Sequence, residues 1–130
     1  MKTTTNITYP AFALFAFAWF TLSPQARAVC QHGCLTNPQN TVLGDDALIS
    51  LTTGSANTAI GVDALALNTT GNDNTATGAF ALLFNTTGDN NTATGFHALL
   101  NNTTGNFNTA IGDSALLFNN TGSYNTANGF

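Results

Sequence analysis

Basic charge is almost absent from this sequence. Only Lys2 and Arg27 carry it, there is no Glu, and the acids are six Asp: Asp45, Asp46, Asp63, Asp73, Asp89 and Asp113. Both cations fall in the first 28 residues, so beyond residue 28 the formal charge is −6, against −4 for the whole chain. Affinity for nucleic acid rests mainly on Lys and Arg neutralising phosphates, which excludes that partner class. Anionic membrane surfaces recruit polybasic segments and are excluded on the same ground.

Long apolar runs are also scarce. One occurs, "AFALFAFAWFTL" at Ala11–Leu22, and no second follows. It is short of the roughly 20 residues that span a bilayer. With Lys2 ahead of it and Ala26-Arg27-Ala28 behind, it has the layout of a secretory signal peptide, expected over residues 1–28. The alternative is an uncleaved N-terminal anchor. Val29 before Cys30 is too large for a lipoprotein site. The mature chain is thus expected to be exported, with no integral membrane segment.

What the sequence has in abundance is one phrase. "NTAIG" stands at Asn57 and again at Asn108, with "NTVLG" at Asn40, "NTATG" at Asn74 and Asn91, and "NTANG" at Asn125. Each copy begins 17 residues after the last. The unit reads G-x-x-N-T-A-x-G-x-x-A-L-x-x-N-T-T, without insertion or deletion from residue 37 to residue 130. A register this strict implies that every copy stacks on the next at equivalent positions.

Seventeen residues is too short for two helices and a turn, which need units of about 33 or more. Two Gly per unit divide the coil into two arms, and the Asn-Thr-Thr-Gly junctions are turn chemistry. Thr and occasional Ile favour a strand in the N-T-A-x arm. The A-L-x-x arm reads as a second short strand or as one helical or 3₁₀ turn. The expected fold is therefore all-β, a β-solenoid of about six coils. At roughly 4.8 Å per coil it forms a rod about 25–30 Å long.

Within the coil, Asn40, Asn57, Asn74, Asn91, Asn108 and Asn125 are expected to form a ladder, as are Thr41, Thr58, Thr75, Thr92, Thr109 and Thr126. Gly44, Gly61, Gly78, Gly95, Gly112 and Gly129 are expected at the corners, where Gly supplies backbone angles that other residues avoid. The Ala after Asn-Thr, the Ile beside it, Ala-Leu, and a variable Leu (Leu67, Leu83, Leu100, Leu117) are expected to turn inward. That core is thin, and single repeats cannot bury a hydrophobic face alone. Phe80, Phe84, Phe96, Phe107, Phe118 and Phe130 at variable places are expected to cap outer faces or to seal one copy of the chain against another. Self-association into a homo-oligomer follows as an expectation.

Reactive side chains are few. Cys30-Gln31-His32-Gly33-Cys34 lies in a short N-terminal cap, residues 29–36. In an exported chain such a pair reads first as a Cys30–Cys34 disulfide, with free or intermolecular thiols as the alternative. Zinc needs four ligands, and only His32 is near. His97 takes the place held by Asp63, Phe80 and Ser114 in other copies, which suggests exposure, and no copy joins His, Asp and a nucleophile. The Asp residues form no column, so calcium is not expected, nor any metal, cofactor or enzymatic activity. Asn-X-Thr triplets at Asn68, Asn85, Asn90, Asn101, Asn102 and Asn119 fall out of the repeated turn rather than marking glycans.

The stretches "NTAIGVDAL" (Asn57–Leu65) and "NTAIGDSAL" (Asn108–Leu116) resemble the head repeats of YadA-like trimeric autotransporter adhesins. "NTTGNDNTATGAFALLF" (Asn68–Phe84) is similar to repeat arrays of bacterial surface and tail-fibre-like proteins, many of which end in an endosialidase-type chaperone domain. The resemblance implies a left-handed parallel β-roll, trimeric, on the bacterial surface or secreted. No stalk, membrane-anchor barrel or chaperone domain follows the array, so a fragment of a longer anchored protein is expected. The functional expectation is a structural and adhesive module that binds host surface, matrix or glycan. A passive spacer of a fibre-like protein is the alternative. An ice- or crystal-surface binder, suggested by "TAT" at Thr75–Thr77 and Thr92–Thr94, stands behind both.

Overall fold

The structure is a computed structural model and describes residues 39–130. The expected signal segment, residues 1–28, and the cap with Cys30 and Cys34 lie outside the described residues. Each copy of the repeat contributes one three-residue strand: β1 Thr41–Leu43, β2 Thr58–Ile60, β3 Thr75–Thr77, β4 Thr92–Thr94, β5 Thr109–Ile111 and β6 Thr126–Asn128. All six pair in parallel in one sheet, in chain order. Thr58 lies opposite Thr75, Ala59 opposite Ala76 and Ile60 opposite Thr77, so every residue faces its own copy in the next coil. The chain is an all-β solenoid, and no helix occurs among the described residues.

The second arm departs from expectation. It is neither a strand nor a helical turn but a run of tight turns. Ala64 N donates to Gly61 O at 3.4 Å and Ala66 N to Asp63 O at 3.2 Å. The third residues of these turns, Asp63 and Leu65, have φ of 54° and 52°. Positive φ at that position is the mark of a type II turn. Leu48, Leu65, Leu82, Leu99 and Leu116 all adopt it. The left-handed conformation costs an L-residue roughly 1–2 kcal/mol, which full burial of a leucine, worth about 1.5–3 kcal/mol, offsets. Turn geometry does not interrupt the stacking, since Leu65 N donates to Ala81 O at 3.0 Å and Leu67 N to Leu83 O at 3.1 Å. Backbone bonds between coils therefore run beyond the strands into the turn arm.

A further left-handed column holds Ala56, Asp73, Asn90, Phe107 and Tyr124, with φ between 55° and 61°. Ala56 is exposed and has nothing to offset its backbone cost. Ala56→Gly is expected to stabilise the fold by about 0.5–1 kcal/mol, the left-handed cost less the extra unfolded-state freedom of Gly. Urea unfolding measures this directly, and an unchanged or lower midpoint would contradict it.

The interior is narrow and half polar. Ala59, Ala76, Ala93 and Ala110 come from the strands, and Ala64, Ala81, Ala98, Leu65, Leu82 and Leu99 from the turn arm; all are fully buried. Beside them lie Asn57, Asn74, Asn91 and Asn108, and also Asn68, Asn85 and Asn102, equally buried. Two groups expected inside are not. Ile60 is half-exposed and Ile111 is 44% exposed, because strand side chains alternate and the central Ala takes the inward direction. Leu67 is exposed, and Leu83, Leu100 and Leu117 are only half-buried. The fully buried apolar side chains of a central coil are a single Leu, as at Leu65, Leu82 and Leu99, and two Ala.

Candidate functional site

The surface is organised by the ladders beneath it. Asn91 Nδ2 donates to Asn74 Oδ1 at 3.1 Å and to Gly105 O at 2.9 Å, while its Oδ1 accepts from Asn108 N at 3.0 Å and Asn108 Nδ2 at 3.1 Å. Every hydrogen-bonding site of that amide is used. The pattern runs from Asn40 to Asn125. A second buried column, unforeseen in the sequence, repeats it: Asn85 Nδ2 donates to Asn68 Oδ1 and Asn102 Nδ2 to Asn85 Oδ1. The two columns meet on one atom per coil. Gly88 O accepts from Asn74 Nδ2 at 2.8 Å and from Asn85 Nδ2 at 3.0 Å. An inward carbonyl left unpaired costs about 1–3 kcal/mol, which gives the buried amides their physical reason.

The threonines of the Asn-Thr pair lie on the outer side of the strands, half-exposed in the four central coils and exposed at Thr41 and Thr126. They stack in register from coil to coil. Hydroxyl rungs run along Thr52, Thr69 and Thr86, each donating to the backbone carbonyl of the coil that follows, and the Thr103 hydroxyl turns to the nearer Asn120 Oδ1. A further ladder passes through Ser55, Asn72, Asp89, Asn106 and Ser123. There Asn72 N donates to Asp89 Oδ1 at 2.7 Å, Asp89 N to Asn106 Oδ1 at 2.7 Å, and Asn106 N to Ser123 Oγ at 2.9 Å. The letter changes from coil to coil, but a short side-chain oxygen recurs. That common chemistry was the only signal available in the sequence. The six corner glycines all take positive φ, between 125° and 144°.

Reactive side chains are dispersed by the same frame. His97 is half-buried, not exposed, and its ring packs on Phe96 at 3.6 Å and Phe80 at 5.3 Å between centroids. Ser114, one coil on in the same column, donates its hydroxyl to Asp113 Oδ1 at 2.9 Å. Among the described residues no three His, Cys, Asp or Glu side chains come together as a metal-ligating group. The Asn-X-Thr triplets are mostly sealed: Asn68, Asn85 and Asn102 are fully buried, and only Asn90 is exposed at its Asn.

One feature among the described residues is an open groove of about 600 Å³ along the turn arm. One wall is the column Leu67, Phe84, Asn101 and Phe118; the other is Thr86, Thr103 and Asn120. None of these residues is charged. Thr103 Oγ1 donates to Asn120 Oδ1 at 2.7 Å, and Asn101 Nδ2 donates to Leu117 O at 2.8 Å, so both amides are held in orientation. The repeat sets their spacing: successive residues of a wall belong to successive coils, about 4.8 Å apart. Aromatic side chains gather at two other places, the Phe80–Phe96–His97 cluster and a stacked Phe107–Tyr124 pair with centroids 5.1 Å apart. Compared with known protein families, curated proteins and solved structures, the chain matches none of them.

Proposed function

We propose that the array is an exported structural and adhesive module, a short, rigid rod of low charge that presents a contact surface outside a bacterial cell. The observation that supports this reading is a division of labour within the coil. Inward columns repeat almost without change and close on themselves through hydrogen bonds. Outward columns vary, as in Leu67, Phe84, Asn101 and Phe118. A scaffold that holds differing side chains at fixed spacing suits recognition of an extended surface better than it suits a reaction.

Leu43, Val62, Phe96 and Ile111 are exposed apolar side chains on or just after the strands. Covering them with further copies of the chain removes that area from water, at about 25 cal/mol per Å². The adhesin resemblance makes the assembly a trimer, with host matrix or glycan as ligand. The test expresses the full chain with its leader in a bacterial host. Expected are a product lacking residues 1–28, sedimentation as a trimer, and adhesion to immobilised matrix or glycan above that of a scrambled-repeat control. A monomer that adheres to nothing reduces the chain to a spacer.

One observation favours a second reading. Thr75, Thr77, Thr92 and Thr94 lie in register on one outward strand face, an array of the kind that can match a crystal lattice. Leu43, Ile60, Ile111 and Asn128 take the second position in the other rungs and shorten the array. Thermal hysteresis or ice shaping by the full chain is the deciding measurement; neither is expected from the adhesive module.

A further inference from the structure

We propose that the groove of the turn arm binds a neutral, β-linked polysaccharide chain, lying parallel to the solenoid axis. The inference rests on the adhesive reading and names its ligand class.

Three properties of the groove converge on that chemistry. No lining residue is charged. The chain as a whole is acidic, with a formal charge of −4. An anionic glycan or an acidic peptide meets repulsion and no counter-charge, whereas a neutral polymer meets neither penalty. The aromatic faces come second. Phe84 and Phe118 occupy the same column two coils apart, with Phe118 85% exposed. Their spacing is set by the stack at about 9–10 Å, comparable to one disaccharide of an extended β-linked glycan. Sugar rings present flat C–H faces that pack on aromatic rings, and the interval lets every second sugar do so.

The polar atoms come third. Asn101 lies between the two rings in the column, and one N–H of its Nδ2 donates to Leu117 O, which fixes the amide and leaves its Oδ1 to accept from a sugar hydroxyl. Across the groove, Asn120 Oδ1 is taken by Thr103 Oγ1, which leaves Nδ2 to donate. One oriented acceptor and one oriented donor thus flank the apolar surface. Both are fixed before any ligand arrives, so little ordering entropy opposes binding. Alternating ring, amide and ring along one axis is the complement of a polymer whose sugars alternate apolar faces with hydroxyl edges. A second copy of this chain would bury Phe118 but leave the oriented Asn101 and Asn120 atoms to find partners in the copy.

The test is affinity electrophoresis of the full chain in gels cast with a soluble neutral β-glucan, hydroxyethyl cellulose, and in parallel gels with anionic alginate. Retardation by the glucan and none by alginate is expected. Phe118→Ala and Asn101→Ala are each expected to weaken retardation about tenfold, a loss of about 1.4 kcal/mol. Phe107→Ala, in the stacked pair away from the groove, is expected to leave it unchanged. Circular dichroism of each variant shows whether the solenoid is intact, and Phe118 is exposed enough for its truncation to leave the core untouched. Equal retardation of all variants, stronger binding to alginate, or a groove variant that alters sedimentation without altering retardation would overturn the assignment. If the groove variants still adhere like the parent chain, the adhesive reading stands while the groove assignment falls.

Discussion

Gly78→Ala is expected to break the solenoid in the middle. Gly78 has φ of 133°, a conformation that L side chains rarely adopt, and a Cβ built there comes within 2.5 Å of Gly95 O and 2.8 Å of its carbonyl carbon. Those atoms are backbone of the next coil, so no rotamer change relieves the clash. Relief requires separating the coils that carry β3 and β4, which opens their ladders together. The penalty is expected to exceed about 4 kcal/mol, against a typical whole-domain stability of about 5–15 kcal/mol. Gly129 is the internal comparison: its φ is 129°, yet nothing lies within 4 Å of an added Cβ. Gly129→Ala therefore carries the backbone strain alone, expected at about 1–3 kcal/mol. Thermal unfolding of the two variants against the parent chain separates stacking from strain. Equal losses would mean that close approach between coils contributes nothing.

Stability also makes a pH-dependent prediction at the Asn ladder. Asn91→Asp changes one nitrogen to oxygen, but it removes both Nδ2 donors from a fully buried site. The new carboxylate faces Asn74 Oδ1 and Gly105 O, both acceptors. Burial and these facing oxygens disfavour the charged form and raise the folded-state pKa above the ordinary value of about 3.9. The folded variant then binds a proton that the unfolded variant releases. Its stability is highest below about pH 4 and falls as pH rises, by up to about 1.4 kcal/mol per pH unit. At neutral pH the expected loss is about 3–5 kcal/mol, the range for an uncompensated buried charge. Urea midpoints for the parent chain and the variant between pH 3 and pH 7 check this. Parallel profiles would show that the column is wetter than its burial implies.

Both predictions concern repeated residues, and both act through the neighbouring coil. That explains why sequence reasoning located Gly78 and Asn91 without describing their surroundings. A period of 17 assigns Asn74, Asn91 and Asn108 to one column, but says nothing of which way the column points. Asn68, Asn85 and Asn102 repeat as regularly, and their Asn-Thr-Thr context reads as an exposed turn. They are buried because the carbonyls of Gly71, Gly88 and Gly105 turn inward and accept from both Asn columns. A carbonyl direction is a backbone property, invisible in letters. The Ser55–Ser123 ladder was hidden differently, since identity changes along it while the acceptor chemistry persists.

By itself, the sequence determined the stack: an insertion-free 17-residue period, two Gly per unit and β-favouring Thr-Ala arms require in-register coils and an all-β solenoid. It also set the charge, because the array contains no Lys or Arg. Tertiary structure alone decided the cross-section. It made the Ala-Leu arm a pair of turns with Leu65 and its copies at positive φ, sent Ile60 and Ile111 outward, and packed His97 on Phe96. It also brought Phe84, Asn101 and Phe118 into one wall opposite Thr103 and Asn120. The physical reason is one of distance. Periodicity reports which residues lie one coil apart, whereas the direction of each side chain depends on how a single coil closes, through contacts across its own interior.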